Sequence, residues 1–190
     1  SVSISRLYLF LGRCFSYPTE KFYEFVKSAE LNDELDVLIA RLPFEVNFNG
    51  IPSPSVPQDE FEIGYINTFD LAPLCPLYES SYQRDDMTAR DIYEDILRFY
   101  EHFDIKLSEG ENDYPDHLVA ELEFMAFLAK KESEAIEKKD DPLSYELAQI
   151  DFFERHLRKW VPLLCEKVNV RVKEPFYHKT GELLRSFVDS

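Results

Sequence analysis

The stretch YPDHLVAELEFM, residues 114–125, predicts the start of a long core helix and therefore an α-helical fold. Pro115 has a ring-fixed φ that suits a first helical turn, and Asp116 places a carboxylate near the positive end of the helix dipole. We expect Asp116 and His117 to form an exposed pair at the mouth of this helix. Apolar residues then recur at the spacing of one buried helical face, namely Leu118, Leu122, Met125 and Ala129.

Helical periodicity extends over almost the whole chain. Thr19 predicts an N-cap for the second helix, and a proline-rich tract at 43–57 predicts a long surface connection. We expect a helix break or kink at Pro162. Only residues 168–172, which alternate Val-Asn-Val-Arg-Val, look strand-like, and an isolated strand of that length cannot support a sheet. The sequence therefore predicts an all-α fold, a single-domain helical bundle over residues 1–190.

The composition indicates an acidic protein with many aromatic rings. Its 190 residues include 37 Asp and Glu against 21 Lys and Arg, which gives a net charge of -16, and 15% of the residues are aromatic. Phosphate binding needs clustered Lys and Arg, so this charge argues against nucleic acid and also against an anionic membrane surface. It favours a basic partner, such as a peptide that carries arginines or lysines.

Cysteine usage and the N-terminal residues predict a cytoplasmic protein. Cys14, Cys75 and Cys165 are far apart and form no CxxC pair, so we interpret them as reduced thiols. An apolar run between Arg6 and Arg13 is too short to span a bilayer and has no cleavage-site pattern. We expect no integral membrane segment and a protein that stays where it is made.

Sequence signatures of catalysis or of a cofactor site are missing. No GxxxxGK, GxGxxG or GxSxG motif occurs. No Glu lies three residues before any of the four histidines, so the ExxH pairs of di-iron bundles are missing too. A metal pair of His117 and Glu121 fits an i,i+4 spacing, but the sequence offers no source for the remaining ligands. We therefore predict no catalytic residues, no metal and no cofactor.

A second informative stretch covers residues 65–82 and contains YINTF followed by PLCPLYESSY. Two of its rings, Tyr65 and Phe69, share one helical face, where they would also suit a core. Its prolines hold the chain extended and present Tyr78 beside the carboxylate of Glu79. Aromatic rings can take the apolar run of a peptide, and carboxylates can pair with its arginines. The stretch thus predicts binding of an amphipathic, basic peptide.

Four motifs occur in order along the chain: YxxxF at 65–69, PLYESxY at 76–82, PDHLxxELxFM at 115–125 and HLxxWxP at 156–162. In this order they resemble the TorD/DmsD/NarJ family of cytoplasmic chaperones for molybdoenzymes, the redox enzyme maturation proteins. The resemblance implies an all-helical, non-enzymatic TorD-like chaperone. Such a protein binds the twin-arginine leader peptide, or the apo-form, of a molybdopterin oxidoreductase catalytic subunit during cofactor insertion, assembly and export.

The resemblance also implies which residues contact the peptide. They are Tyr65, Phe69, Pro76, Leu77 and Tyr78, with Asp116 and His117 across a groove. Charge alone adds Glu79 to this set. We expect Asp116 to pair one guanidinium in a bidentate fork. A neutral His117 would hydrogen-bond the peptide, and its protonation would weaken arginine binding.

Two other functions stay open on the sequence. The chain could be an interaction subunit that is retained in a mature redox complex. It could instead be an accessory protein that binds a nucleotide or the molybdenum cofactor at helix N-termini, although its net charge disfavours polyphosphates. Members of the family can exchange helices across a hinge, so a monomer and a helix-swapped homodimer are both expected forms.

Overall fold

The computed structural model describes residues 2–28, 30–82, 86–106 and 114–190, and helices dominate these residues. No strand occurs among them, and the one β-type pairing is an isolated bridge between Tyr78 and His117. The all-α prediction is confirmed. The α-helices in chain order are α1 (Val2–Cys14), α2 (Glu20–Lys27), α3 (Glu30–Ile39), α4 (Gln58–Tyr65), α5 (Ala89–His102), α6 (Leu118–Lys138), α7 (Leu143–Phe152), α8 (Arg158–Arg171) and α9 (Pro175–Asp189). Shorter turns are π-helical at Ile66–Asp70 and Phe153–Leu157 and 3-10 at Glu79–Ser81.

The chain divides into two compact units. The first unit contains residues 2–12 and 77–160, and the second contains residues 13–76 and 161–190. Each unit has its own interior, described below. The expectation of a single domain stays a prediction.

Helix α6 is the central element of the first unit and has 21 residues. Its Phe124 packs against Tyr100 of α5 and Phe152 of α7, with ring centroids 4.9 and 4.8 Å apart. Edge-to-face rings at these separations add to the free energy gained from burial. The helix ends at Lys139, whose φ of 61° is the left-handed conformation that commonly stops helices. Helix α6 therefore provides a buried ring that packs against both α5 and α7.

The second unit is held together by aromatic rings on α4 and α9. Phe61 stacks on Tyr177 with ring centroids 4.9 Å apart and an interplanar angle of 5°. Phe69, on the π-helical turn after α4, contacts Tyr177 edge-on at 5.2 Å. A Cβ atom at Gly181 would lie 3.0 Å from Cγ1 of Val168, so glycine allows α9 to approach α8 closely.

Two local predictions for α8 were wrong. Residues 168–171 are helical, and Val168 and Val172 are buried while Val170 is 76% exposed, which is the i,i+4 spacing of one helical face. Packing of that face has overridden the β-propensity of the valines. The helix also continues through Pro162 without interruption, so the expected break is absent, while a kink at Pro162 stays a prediction. The departure from α geometry lies one turn earlier, at Phe153–Leu157.

The N-cap predicted at Thr19 is confirmed, because its hydroxyl oxygen accepts a hydrogen bond from the Phe22 N–H at 3.4 Å. Between α3 and α4, residues 43–57 contain neither helix nor strand. None of the helices in the described part of the chain is long and apolar enough to cross a membrane.

Candidate functional site

The two most informative sequence stretches meet in the first unit, where residues 77–80 pair with residues 116–118. The Leu118 N–H donates to the Leu77 carbonyl at 2.8 Å, and the Glu79 N–H donates to the Asp116 carbonyl at 3.0 Å. Both hydrogen bonds flank the Tyr78–His117 bridge. The backbones of the PLYES and PDHL motifs are therefore paired with each other at the start of α6.

Asp116 belongs to these paired motifs and is fully buried, so the prediction that it is exposed was wrong. Its Oδ2 accepts a hydrogen bond from the Ser80 N–H at 2.8 Å. Its Oδ1 has no hydrogen-bond partner among the residues that the structure describes. Burial raises the pKa of the Asp116 carboxyl. In this conformation Asp116 fixes the 77–81 segment, and a bidentate pair with an incoming arginine requires the segment to open.

His117 is only 8% exposed and is the N-cap of α6, which corrects both its expected exposure and the expected helix start at Pro115. Its Nδ1 accepts a hydrogen bond from the Val119 N–H at 3.2 Å, which satisfies one unpaired donor of the first turn. Burial lowers the pKa of His117 to about 4. The ring is therefore neutral from pH 5.5 to 7.5, and we expect no change in peptide binding from its protonation in that range.

Glu79 is also fully buried and belongs to a charged cluster in the interior. Its Oε2 lies 2.8 Å from His156 Nδ1, and His156 Nε2 lies 3.0 Å from Asp95 Oδ2. Arg155 donates to the other oxygen of Asp95 at 2.6 Å. We call Glu79, His156 and Asp95 the buried triad. The Glu79 carboxylate contacts His156 and not solvent. Contact between Glu79 and a peptide would therefore require Glu79 to leave His156.

A further carboxyl group lies in the same interior at Glu121. Its Oε2 accepts a hydrogen bond from Trp160 Nε1 at 3.0 Å, while its Oε1 has no partner within the described ranges. Burial, and secondly the negative charge of Glu79, raise the pKa of Glu121 well above its ordinary value. Both carboxyls are shielded from solvent, so the arrangement favours a structural role over acid–base chemistry on a substrate.

The remaining predicted contacts are divided between the two units. Tyr65, Phe69 and Pro76 lie in the second unit, and Leu77 and Tyr78 lie in the first. Tyr65 and Phe69 are buried, and the Tyr65 hydroxyl donates to the Phe15 carbonyl at 2.9 Å. Leu77 is 1% exposed, so Pro76 and Tyr78 are the two predicted contact residues that are half-buried rather than buried.

Sequence reasoning missed two tyrosines beside Tyr78. The ring of Tyr114 lies 5.9 Å from that of Tyr78 and 5.8 Å from that of Tyr93, measured between centroids. Tyr114 is 52% exposed, and Tyr78 also contacts His117 edge-on at 4.9 Å. We call Tyr78, Tyr93 and Tyr114 the tyrosine cluster. One signal was available, since Tyr114 directly precedes the PDH motif. Tyr93 has none, because only the packing of α5 places its ring beside that of Tyr114.

Comparison with known proteins places the chain in a family. The family model of the nitrate reductase delta subunit matches residues 26–166. The chain is 38% identical over 144 residues to the selenate reductase assembly chaperone protein of Thauera selenatis, covering 74% of this chain and 73% of the relative. It is 33% identical over 145 residues to the chlorate reductase assembly chaperone protein of Ideonella dechloratans, covering 75% and 74%.

A solved structure supports the fold. A candidate redox enzyme maturation protein from Archaeoglobus fulgidus superposes with a TM-score of 0.57 and 18% sequence identity, over 98% of this chain and 94% of that protein. At this identity the likeness concerns the fold alone. The resemblance inferred from the four motifs is confirmed by the family match, and the chain belongs to the nitrate reductase delta subunit family of redox enzyme maturation proteins.

Proposed function

We propose that this chain is an assembly chaperone for the catalytic subunit of a molybdopterin-containing oxidoreductase, and that it acts by binding and not by catalysis. The observation that carries the proposal is the 38% identity to the selenate reductase assembly chaperone protein over three quarters of the chain. A perchlorate reductase assembly chaperone protein from Dechloromonas aromatica is 34% identical over 135 residues and adds support. Binding before export of the client implies a cytoplasmic protein.

The test compares two forms of a candidate client, the catalytic subunit of a molybdopterin-containing oxidoreductase from the same organism. Tagged chaperone is mixed with the client purified without molybdenum cofactor and, separately, with the cofactor-loaded client. We expect co-purification with the apo-form only, because a chaperone must release its product. Failure to bind the apo-form, with both proteins folded, would contradict the proposal.

The same experiment tests a second candidate, a permanent subunit of the mature enzyme. The description of the family as a delta subunit favours it. A permanent subunit would bind the cofactor-loaded client as tightly as the apo-form and would stay with it in a fixed ratio through gel filtration. Gel filtration of the chain alone would also separate the monomer from the helix-swapped homodimer.

We further propose that the tyrosine cluster receives the arginines of a twin-arginine leader peptide. A guanidinium stacks favourably on aromatic faces, and Tyr114 offers half of its surface beside two further rings. The net charge of -16 attracts a basic peptide over long range, an attraction that salt weakens. The hydrogen bonds at Asp116 hold Tyr78 in place beneath the peptide.

Calorimetric titration with a synthetic leader tests the role of the tyrosine cluster. We expect Tyr114→Ala to weaken binding by at least about fivefold, the loss of one stacking contact. A leader with Lys-Lys in place of Arg-Arg should bind more weakly by a similar factor, since an ammonium stacks less well than a guanidinium on an aromatic ring. Tyr17→Ala, which removes a 46% exposed tyrosine in the second unit, is the matched control. Equal affinity of Tyr114→Ala and wild type would contradict the assignment.

A further inference from the structure

An apolar row of side chains on helix α7 of the first unit faces solvent. Leu143, Leu147 and Ile150 are 50%, 56% and 62% exposed. Their spacing of four and three residues places them on one face of the helix, and we call them the α7 stripe. Single exposed aliphatic side chains are ordinary on a protein surface, whereas a row of them indicates a surface that another molecule covers.

Helix α7 is attached to the first unit through its opposite side. Phe152 is fully buried, and its ring centroid lies 4.8 Å from that of Phe124 on α6. The side-chain amide of Gln149 donates to the carboxylate of Glu132, also on α6, at 2.8 Å. The contacts that hold α7 in place therefore leave the stripe uncovered by the residues that the structure describes.

A groove of about 510 Å³ lies beside the stripe, between α5 and α7. Leu147 of the stripe forms part of its wall together with Ala148, and Phe99 and Phe103 form the apolar part of the other wall. The volume is at the lower end of the range of ligand pockets and is enough for one large apolar side chain. The groove thus gives the flat stripe a place where an anchoring side chain of a partner can be buried.

Two carboxylates flank the α7 stripe. By helical spacing Glu146 lies on one side of it and Asp151 on the other. Neither carboxylate forms an ion pair with a residue that the structure describes. Helix α7 itself contains no Lys, Arg or His. The stripe is therefore an apolar surface with negative charge along both sides.

The cations nearest to the stripe and the groove already have acidic neighbours. Each arginine there lies within 4.0 Å of a carboxylate, and the pairs are Arg98 with Glu94, Arg155 with Asp95 and Arg158 with Glu154. Lys138 and Lys139 precede the helix, but Asp140 and Asp141 directly follow them. The charges left for an occupant are thus negative, and they match the net charge of -16 of the whole chain.

We propose that the α7 stripe and the adjoining groove bind a basic amphipathic helix of a partner protein. The apolar face of that helix covers the stripe, one of its large side chains enters the groove, and its Lys or Arg side chains pair with Glu146 and Asp151. A second copy of this chain fits less well, because it would bring further carboxylates to the stripe and no cation on α7. An anionic membrane is disfavoured for the same reason. The inference goes beyond leader binding and does not depend on it, since no residue of the stripe belongs to the tyrosine cluster.

The test measures the affinity of a labelled synthetic peptide of about 18 residues by fluorescence anisotropy. The peptide carries leucines at helical spacing and lysines on both sides of them. We expect Leu147→Gln with Ile150→Gln to weaken binding by at least about tenfold, because two buried aliphatic contacts are lost. Leu71→Gln with Val170→Gln, two aliphatic residues of the second unit that are 72% and 76% exposed, is the matched control and should leave the affinity unchanged.

A second pair of substitutions tests the charges. Glu146→Gln with Asp151→Asn should weaken binding at low salt by at least about threefold and should reduce its salt dependence. Tyr114→Ala should leave binding of this peptide unchanged.

Four results would overturn the proposal. They are equal affinity of the Leu147→Gln, Ile150→Gln variant and wild type, equal binding of a peptide with glutamates in place of the lysines, loss of binding in Tyr114→Ala, and dimers of the chain that the Leu147→Gln, Ile150→Gln variant fails to form. The third would show that the peptide occupies the tyrosine cluster, and the fourth would make a second copy the occupant of the stripe. Analytical ultracentrifugation of the chain alone measures the fourth.

Discussion

The interiors of the two units are built from different chemistry. In the second unit the ring centroid of Tyr177 lies 4.9 Å from that of Phe61 and 5.2 Å from that of Phe69, and each buried ring contributes through apolar area. In the first unit the interior contains the buried triad and Glu121. Burying charge costs free energy, and well-packed apolar residues would often be as stable. The comparison teaches that polar groups in the first unit fix the positions of particular residues. The hydrogen bond of Glu79 to His156 also restrains Tyr78, because Tyr78 directly precedes Glu79 in the chain.

The largest expected effect comes from breaking the buried triad. His156→Ala leaves Glu79 and Asp95 buried without the ring that lies between them, so we expect the free energy of unfolding to fall by ~4 kcal/mol. Urea denaturation measures it. His178→Ala, which removes a partly exposed histidine of α9, should change stability by less than about 0.5 kcal/mol. A loss below ~1 kcal/mol at His156 would mean that the triad does not hold the first unit together.

A smaller effect is expected from the ring core of the second unit. Phe61→Leu removes the stack on Tyr177 but keeps an apolar side chain, so unfolding should become easier by ~2 kcal/mol. Phe25→Leu, at a half-buried position of α2, is the control and should cost less than half as much. If Phe61→Leu lowered the free energy of unfolding as much as His156→Ala, the aromatic interior would be as sensitive to substitution as the polar one, and the contrast between the two units would be wrong.

The third prediction concerns the pH dependence of stability. Glu121 has a raised pKa when folded, so its contribution is fully present below its unfolded pKa near 4.5 and is lost as pH rises towards the folded pKa. Glu121→Gln does not titrate and can still accept the Trp160 N–H. We therefore expect its urea midpoint to exceed that of wild type at pH 8 and the gain to shrink at pH 4. A gain that is equal at both pH values would contradict the raised pKa.

The smallest expected effect is at the N-cap. His117→Ala should lower stability by ~1 kcal/mol because the Val119 N–H loses its acceptor, and His117→Asn, which keeps an acceptor, should recover most of it. The lowered pKa of His117 gives stability that is present above pH 6.5 and is lost as pH falls through about 4. Wild type should therefore lose its advantage over His117→Asn between pH 6.5 and 4. A constant difference in urea midpoint would contradict this assignment.

Much of the fold follows from local sequence pattern, and much of the site does not. The cap at Thr19 and the periodicity of α6 are local, so both could be predicted. The burial of Glu79 could not, because its partner His156 is 77 residues away and reaches it from a π-helical turn. A charged residue beside aromatic rings is usually exposed, and only the tertiary contact reverses that expectation. Tyr93 was missed because only the packing of α5 brings its ring beside that of Tyr114.

The most direct test of the central claim measures the molybdenum content of the client enzyme. The client is produced with and without this chain under the same conditions, purified, and analysed for metal per subunit. The proposed function predicts that the client made without the chain is folded but poor in molybdenum. Producing the client together with the wild-type chain or with Tyr17→Ala should restore its molybdenum content. Equal molybdenum content in the presence and absence of the chain would contradict an assembly role.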